Sequence, residues 1–129
     1  MFGEYKATLD TSNGRMNIPA KFREELGSSF YAAKPLDKAS CVAIYTIESW
    51  NDVLKSIREK PREESYDIKR NILPSAFPID MDKQGRVKIP APLCEYAALD
   101  GEVVVIGIDD TAEIWNKSLW ERRACAGKL

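Results

Sequence analysis

Gly14-Arg15-Met16-Asn17-Ile18-Pro19-Ala20 returns seventy-one residues later as Gly85-Arg86-Val87-Lys88-Ile89-Pro90-Ala91. The agreement continues outward. Glu24 meets Glu95 and Phe22 faces Leu93, while at an offset of 70 Ile44-Tyr45 and Trp50 answer Ile114-Trp115 and Trp120. Two signatures in the same order at nearly the same spacing mark a tandem duplication. Each copy has one local grammar. A turn (Thr11-Ser12-Asn13-Gly14, Lys83-Gln84-Gly85) uses glycine for a positive φ. Residues 15–18 and 86–89 alternate polar with apolar, as a half-buried strand does. Proline then ends the ladder and opens a short helix, predicted over 20–26 and 91–98, with Gly27 as C-terminal cap of the first.

Short extended segments are predicted at 5–9 and 77–81, and further strands at 42–45, 103–108 and 113–115. Trp50, Val53, Leu54 and Ile57 form a helical stripe across 48–60. Residues 60–65 read as a linker, followed by a helical piece over 64–73 that ends before Pro74. Residues 121–129 are long enough to extend a last helix, but Gly127 and the small residues there favour a frayed tail. One copy of about 45 residues is too small to bury an apolar face, whereas two packed together can close a core. The expected fold is therefore mostly β with short helices (α+β), a pseudo-two-fold unit. Its first repeat spans 5–50, a helical connection 51–76 and its second repeat 77–120, all in one compact body.

Composition narrows the function classes. Hydrophobic content of 44% with 30% charged residues describes a folded chain rather than a disordered one. The longest apolar run, Val103-Val104-Val105-Ile106 extended by Gly107-Ile108, is too short to span a bilayer. The first residues lack the basic-then-apolar pattern of a signal peptide, so a cytoplasmic protein without a membrane partner is expected. Cys41, Cys94 and Cys125 are odd in number and far apart, and there is no histidine. That predicts three reduced thiols, no zinc cage, no metal and no cofactor. Without histidine, acid–base catalysis would fall to carboxylates, lysine or tyrosine. Asp80 with Asp82 and the pair Asp109-Asp110 could meet a hard cation, yet neither carries a calcium-loop pattern. An enzyme is the third-ranked reading.

The net charge is −1. Any anion-binding surface must then come from local clustering, or from an oligomer repeating one patch. Two clusters qualify. Arg15, Lys21 and Arg23 occur with no acid among them, and so do Lys83, Arg86 and Lys88. In the second copy Asp82 precedes Arg86 by four residues across the turn. In the first, Asp10 precedes Arg15 by five. A carboxylate there can fix a guanidinium plane. Such a pair either braces a turn or presents arginine to a phosphate or guanine edge. Trp50, Trp115 and Trp120 fit core packing better than base stacking.

These residues resemble the MraZ family of transcriptional regulators, within the SpoVT/AbrB-like superfamily. The matching stretches are Gly3-Glu4-Tyr5 with Thr8-Leu9-Asp10, "GRMNIPAKFREELG" (14–27), "DKQGRVKIPAPL" (82–93), "LDGEVVVIG" (99–107) and "EIWNKSLWE" (113–121). The resemblance implies an AbrB-like, swapped-hairpin, double-psi-type β-barrel made by the two repeats. It implies a repressor that assembles into homo-oligomeric rings in the cytoplasm, at the nucleoid. The ligand implied is double-stranded promoter DNA, as direct repeats upstream of the division and cell-wall gene cluster. The family's D-x-x-x-R motif maps onto Asp82 and Arg86, and onto Asp10 and Arg15, with Gly14 and Gly85 supporting the turns and Lys21 and Arg23 in the IPAKFR portion. The chain departs from the family at four places: Ala7 stands where histidine is common, a residue between Phe2 and Gly3 is missing, the first turn is one residue longer, and the sequence after Trp120 differs. An antitoxin-like protein-interaction module on the same barrel is the second reading.

Overall fold

The ladder partner of strand β1 (Glu4–Leu9) lies in the other half of the chain: β7 (Gly101–Gly107) runs antiparallel to it, with Glu4 opposite Ile106 and Leu9 opposite Gly101. The computed structural model describes residues 1–125. It shows the converse pairing between β3 (Ser29–Ala33) and β5 (Phe77–Asp80), with Ser29 opposite Asp80. Strands β4 (Val42–Tyr45) and β8 (Thr111–Asn116) pair with each other, with Val42 opposite Ile114. The resulting six-stranded antiparallel sheet has the order β1-β7-β8-β4-β3-β5. Strands β2 (Arg15–Asn17) and β6 (Arg86–Lys88) form a separate two-stranded ribbon. Five helices complete an α+β fold: α1 (Ala20–Leu26), α2 (Ile47–Arg58), α3 (Arg62–Ile72), α4 (Ala91–Ala97) and α5 (Lys117–Cys125).

One core cluster gathers repeat-related side chains from both halves. Ile18 and Ile89 follow the ribbon strands, and Phe22 and Leu93 project from α1 and α4; each is 1% exposed or less. Burying a side chain of this size contributes about 1.5–3 kcal/mol. The sheet is covered on its other face as well. Trp50 of α2 packs on Ala33, Ala43 and Tyr45, with its ring 5.4 Å from Tyr31 and 5.2 Å from Tyr45. Trp120 of α5 lies 5.5 Å from Trp115 in a second satellite with Cys41, Val104 and Ile106. All three tryptophans are thus packing residues, as the sequence predicts. Thr46 caps α2 by accepting the Ser49 amide at 2.9 Å.

The structure departs from the sequence reading at three places. Strand β3 has no forecast in the sequence: Ser29-Phe30-Tyr31-Ala32-Ala33 ends in two alanines, which are poor strand formers, and burial between β4 and β5 overrides that preference. The stretch 60–65 is not a linker. Pro61 caps α3, Glu63 and Glu64 occupy its first turn, and Ser65 is buried with its amide on the Pro61 carbonyl at 2.8 Å. What reads as charged punctuation is a helix start. At the C-terminal end the helical alternative holds through Cys125 rather than the favoured frayed tail, and residues 126–129 lie outside the described residues. Among the described residues no helix is long and apolar enough to cross a membrane.

Candidate nucleic-acid interface

The alternation in the two heptapeptides becomes a ribbon with one wet face. Met16 and Val87 stand opposite each other at its centre and are buried, each 4% exposed. Arg15 stands opposite Lys88 and Asn17 opposite Arg86, and all four are exposed. Reciprocal hydrogen bonds lock the ends: the Ile18 amide donates to the Gly85 carbonyl at 2.8 Å, and the Ile89 amide to the Gly14 carbonyl at 2.9 Å. Gly14 and Gly85 adopt φ of 75° and 80° to allow this approach. The outer face therefore carries three cations and one carboxamide.

The two turns hold their arginines differently. In the second, the Asp82 carboxylate accepts the amides of Gln84 and Arg86, both at 2.9 Å, on Oδ1, and Arg86 Nε at 2.6 Å on Oδ2. The Arg86 amide, then its guanidinium, hold the Asp82 carboxyl below the usual carboxylate range. Arg86 remains 64% exposed, so the bridge orients the guanidinium without covering it. In the first turn, Asp10 Oδ1 is occupied by the Ser12 amide at 2.9 Å and the Ser12 hydroxyl at 2.7 Å. Those bonds lower its pKa, and the charge of Arg15 contributes least. Asn13 supplies the acceptor for the Arg15 amide at 2.9 Å. Among the described residues Arg15 forms no salt bridge. The extra residue thus replaces an ionic brace with an amide one, and leaves the Arg15 guanidinium unfixed.

The other candidate cations separate by position. Arg23 of α1 is half-buried; its Nε donates to the Ile18 carbonyl at 2.8 Å, and its side chain lies where a Cβ on Gly85 would be. It ties α1 to the residue that follows β2 and packs against the glycine that precedes β6. Lys21 on α1 and Lys83 in the second turn are exposed. Lys6, Thr8, Asp10, Arg15, Asn17, Arg23 and Arg86 line an open groove of about 690 Å³ beside the ribbon. A second cleft of about 650 Å³, behind the first turn near Cys94 and Asp100, has Lys88 as its only lining cation. The basic groove is therefore the better anion site. Lys6 and Asn17 are absent from the sequence-derived site. The signal for Asn17 was available, since it lies two residues beyond Arg15 on an alternating strand and must share its face.

Ala7, where the family commonly has histidine, is half-buried and packs against the core. Among the described residues no group of three or more histidine, cysteine or acidic side chains is placed to hold a metal.

The family model described as "MraZ protein, putative antitoxin-like" matches residues 1–68 and 72–124. The chain belongs to the MraZ family. It is 39% identical over 123 residues to a protein of Thermoanaerobacter sp. (strain X514) named "Transcriptional regulator MraZ", covering 94% of this chain and 84% of that one. A Moorella thermoacetica protein of the same name is 41% identical over 121 residues, covering 92% of this chain and 82% of its own. MraZ family members are thus matched across both halves, including both ribbon strands and both turns.

Proposed function

We propose that this MraZ family member is a sequence-specific, DNA-binding transcriptional regulator. It represses the division and cell-wall gene cluster by gripping promoter direct repeats as a ring-shaped homo-oligomer at the nucleoid. The observation that carries this reading is the β2–β6 ribbon, with Arg15, Arg86 and Lys88 on one exposed face and Arg86 oriented by Asp82. A two-stranded ribbon fits the major groove, and a fixed guanidinium suits a guanine edge. The names of the relatives as transcriptional regulators support it. The crossed pairings β1–β7 and β5–β3 support a swapped-hairpin barrel of pseudo-two-fold symmetry built from repeats 5–50 and 77–120. A chain of net charge −1 gains little long-range attraction to DNA. Repeating the ribbon around a ring sums weak contacts by multivalency.

The test is fluorescence anisotropy on direct-repeat promoter duplex at two salt concentrations. Log affinity should fall against log salt with a slope of about −0.9 per phosphate neutralised. Arg86→Ala should weaken specific binding by about 5- to 150-fold, the loss expected for one bidentate base contact, with fold and assembly retained. Equal, weak affinity for scrambled duplex overturns the reading, and a monomer in light scattering overturns the ring. The family's description as antitoxin-like favours a second reading, in which the barrel chiefly holds a protein partner. Co-purification of a stoichiometric partner that blocks DNA binding would select it.

A further inference from the structure

The ribbon's backbone register is symmetric, but its wet face is not. Exchanging the two strands maps the Arg15–Lys88 pair onto the Arg86–Asn17 pair. A faithful duplication would put the same two side chains at both ends. Instead one end carries two cations, and the other pairs an arginine with a carboxamide. The end bearing the carboxamide is also the end whose arginine is fixed by Asp82 at 2.6 Å.

Asn17 is exposed, and among the described residues its side chain has no hydrogen-bond partner. It therefore braces nothing in the turn or ribbon, unlike Asn13, whose Oδ1 holds the Arg15 amide. It lines the basic groove together with Lys6, Thr8 and Arg86. Lysine and arginine offer donors alone, which suit phosphates and the acceptor edge of guanine. A carboxamide offers a donor and an acceptor side by side, the complement of the N7 and N6 amino group of adenine. Opposed residues on antiparallel strands have Cα atoms about 4.5–5.5 Å apart, and successive bases along a DNA strand rise about 3.4 Å. Two side chains rooted that close together can serve neighbouring base pairs.

We infer that Asn17 is a specificity-determining residue: it reads an adenine in the major groove, in a base pair neighbouring the guanine taken by Arg86. The Arg15–Lys88 end, with no acceptor to offer, holds phosphates. This rests on the DNA-binding reading above and adds to it a base, a residue and an atom.

The experiment selects binding sites from a randomised duplex pool with the full-length wild type, Asn17→Ala and Arg86→Ala. The wild type should select an adenine at a fixed position near the guanine lost by Arg86→Ala. Asn17→Ala should lose that adenine preference by about 5- to 150-fold, the value of one bidentate base contact. It should keep the guanine preference, the affinity for scrambled duplex and the melting temperature. Replacing that adenine by 7-deazaadenine removes the N7 acceptor; it should weaken the wild type by a similar factor and leave Asn17→Ala unaffected. Selection of the same sequence by Asn17→Ala, or equal sensitivity of both proteins to 7-deazaadenine, overturns the inference. A wild type that selects no sequence fails earlier, and then the DNA-binding reading itself falls. Should Asn17→Ala fold poorly, the 7-deazaadenine comparison of the wild type against Asn17→Val, a strand-forming side chain with no hydrogen-bonding group, decides.

Discussion

The Asp82 carboxylate accepts three hydrogen bonds, from two backbone amides and from Arg86 Nε, while the Asp10 carboxylate accepts two, both from Ser12. The same acid at equivalent places therefore has different work. Asp82→Ala frees the Arg86 guanidinium and should weaken specific DNA binding roughly fivefold, the cost of about one charge-assisted hydrogen bond's orientation. Asp10→Ala leaves the Arg15 amide on Asn13 and should change binding less than twofold, roughly the noise of a surface change. Paired anisotropy titrations check the contrast. Acid should reproduce the first variant. Both carboxyls have folded-state pKa values below their unfolded ones, so their contribution is complete above the ordinary carboxylate range and is lost as pH falls through the lowered values. In proton NMR the Arg86 Nε–H should stay protected at neutral pH and through the ordinary carboxylate range, and lose protection only as pH falls through the lowered Asp82 value. The Arg15 Nε–H should be unprotected throughout. Residue spacing made the Asp82–Arg86 bridge legible, and it showed the first turn to be one residue longer. That Asn13 would take over the Arg15 amide was not legible, because several groups in a longer turn can supply that acceptor.

Among the elements, the ribbon strands and their helices were the most legible. Alternation, glycine and proline act within a few residues, and β2, β6, α1 and α4 follow from them. Strand β3 was hidden because its two alanines acquire strand geometry only from neighbours far along the chain. The glycines that begin the ribbon strands look interchangeable in sequence and are not so in the fold. A Cβ on Gly14 would fall on the backbone carbonyl oxygen of Ile89, a residue whose amide is bonded to the Gly14 carbonyl. The atoms nearest a Cβ on Gly85 all belong to the Arg23 side chain, which can swing aside by giving up its bond to the Ile18 carbonyl. Both substitutions carry the left-handed backbone cost of about 1–2 kcal/mol. Gly85→Ala should lower the melting temperature by about 4–8 °C, at about 4 °C per kcal/mol for a domain of this size. Gly14→Ala should lower it further, since the Ile89 amide bond to Gly14 must distort as well. Thermal denaturation of the two variants side by side is the check; equal losses would show that the Ile89 carbonyl can move.

At the scale of the whole molecule, the duplication announced that two halves share a core, but an offset in sequence cannot say which strand pairs with which. Internal pairing within each half and crossed pairing between halves give the same sequence pattern. The structure uses both: β1–β7, β4–β8 and β3–β5 cross between the halves, β3–β4 and β7–β8 stay within one, and the β2–β6 ribbon joins the halves apart from the sheet. Thiol chemistry reports on that unity. Cys41 is fully buried between the sheet and α5, and burial pushes its thiol far above the ordinary range. Burial raises the half-buried Cys94 less, and Cys125 is exposed. A disulfide-exchange reagent at pH 8 should label Cys125 at once and Cys94 slowly. Cys41 should react only at the rate of global unfolding, accelerated by denaturant. Fast labelling of Cys41 in native buffer would mean that α5 opens independently.

The crossed pairing also sets an order of events during synthesis. Glu4 leaves the ribosome about a hundred residues before Ile106, its ladder partner, and at roughly 5–20 residues per second β1 waits roughly 5–20 seconds unpaired. Protease should therefore cut β1 in ribosome-stalled chains that end before β7 and spare it in those that extend beyond. Glu4 and Lys6, standing on the solvent side of β1, keep that waiting strand charged until β7 arrives to claim it.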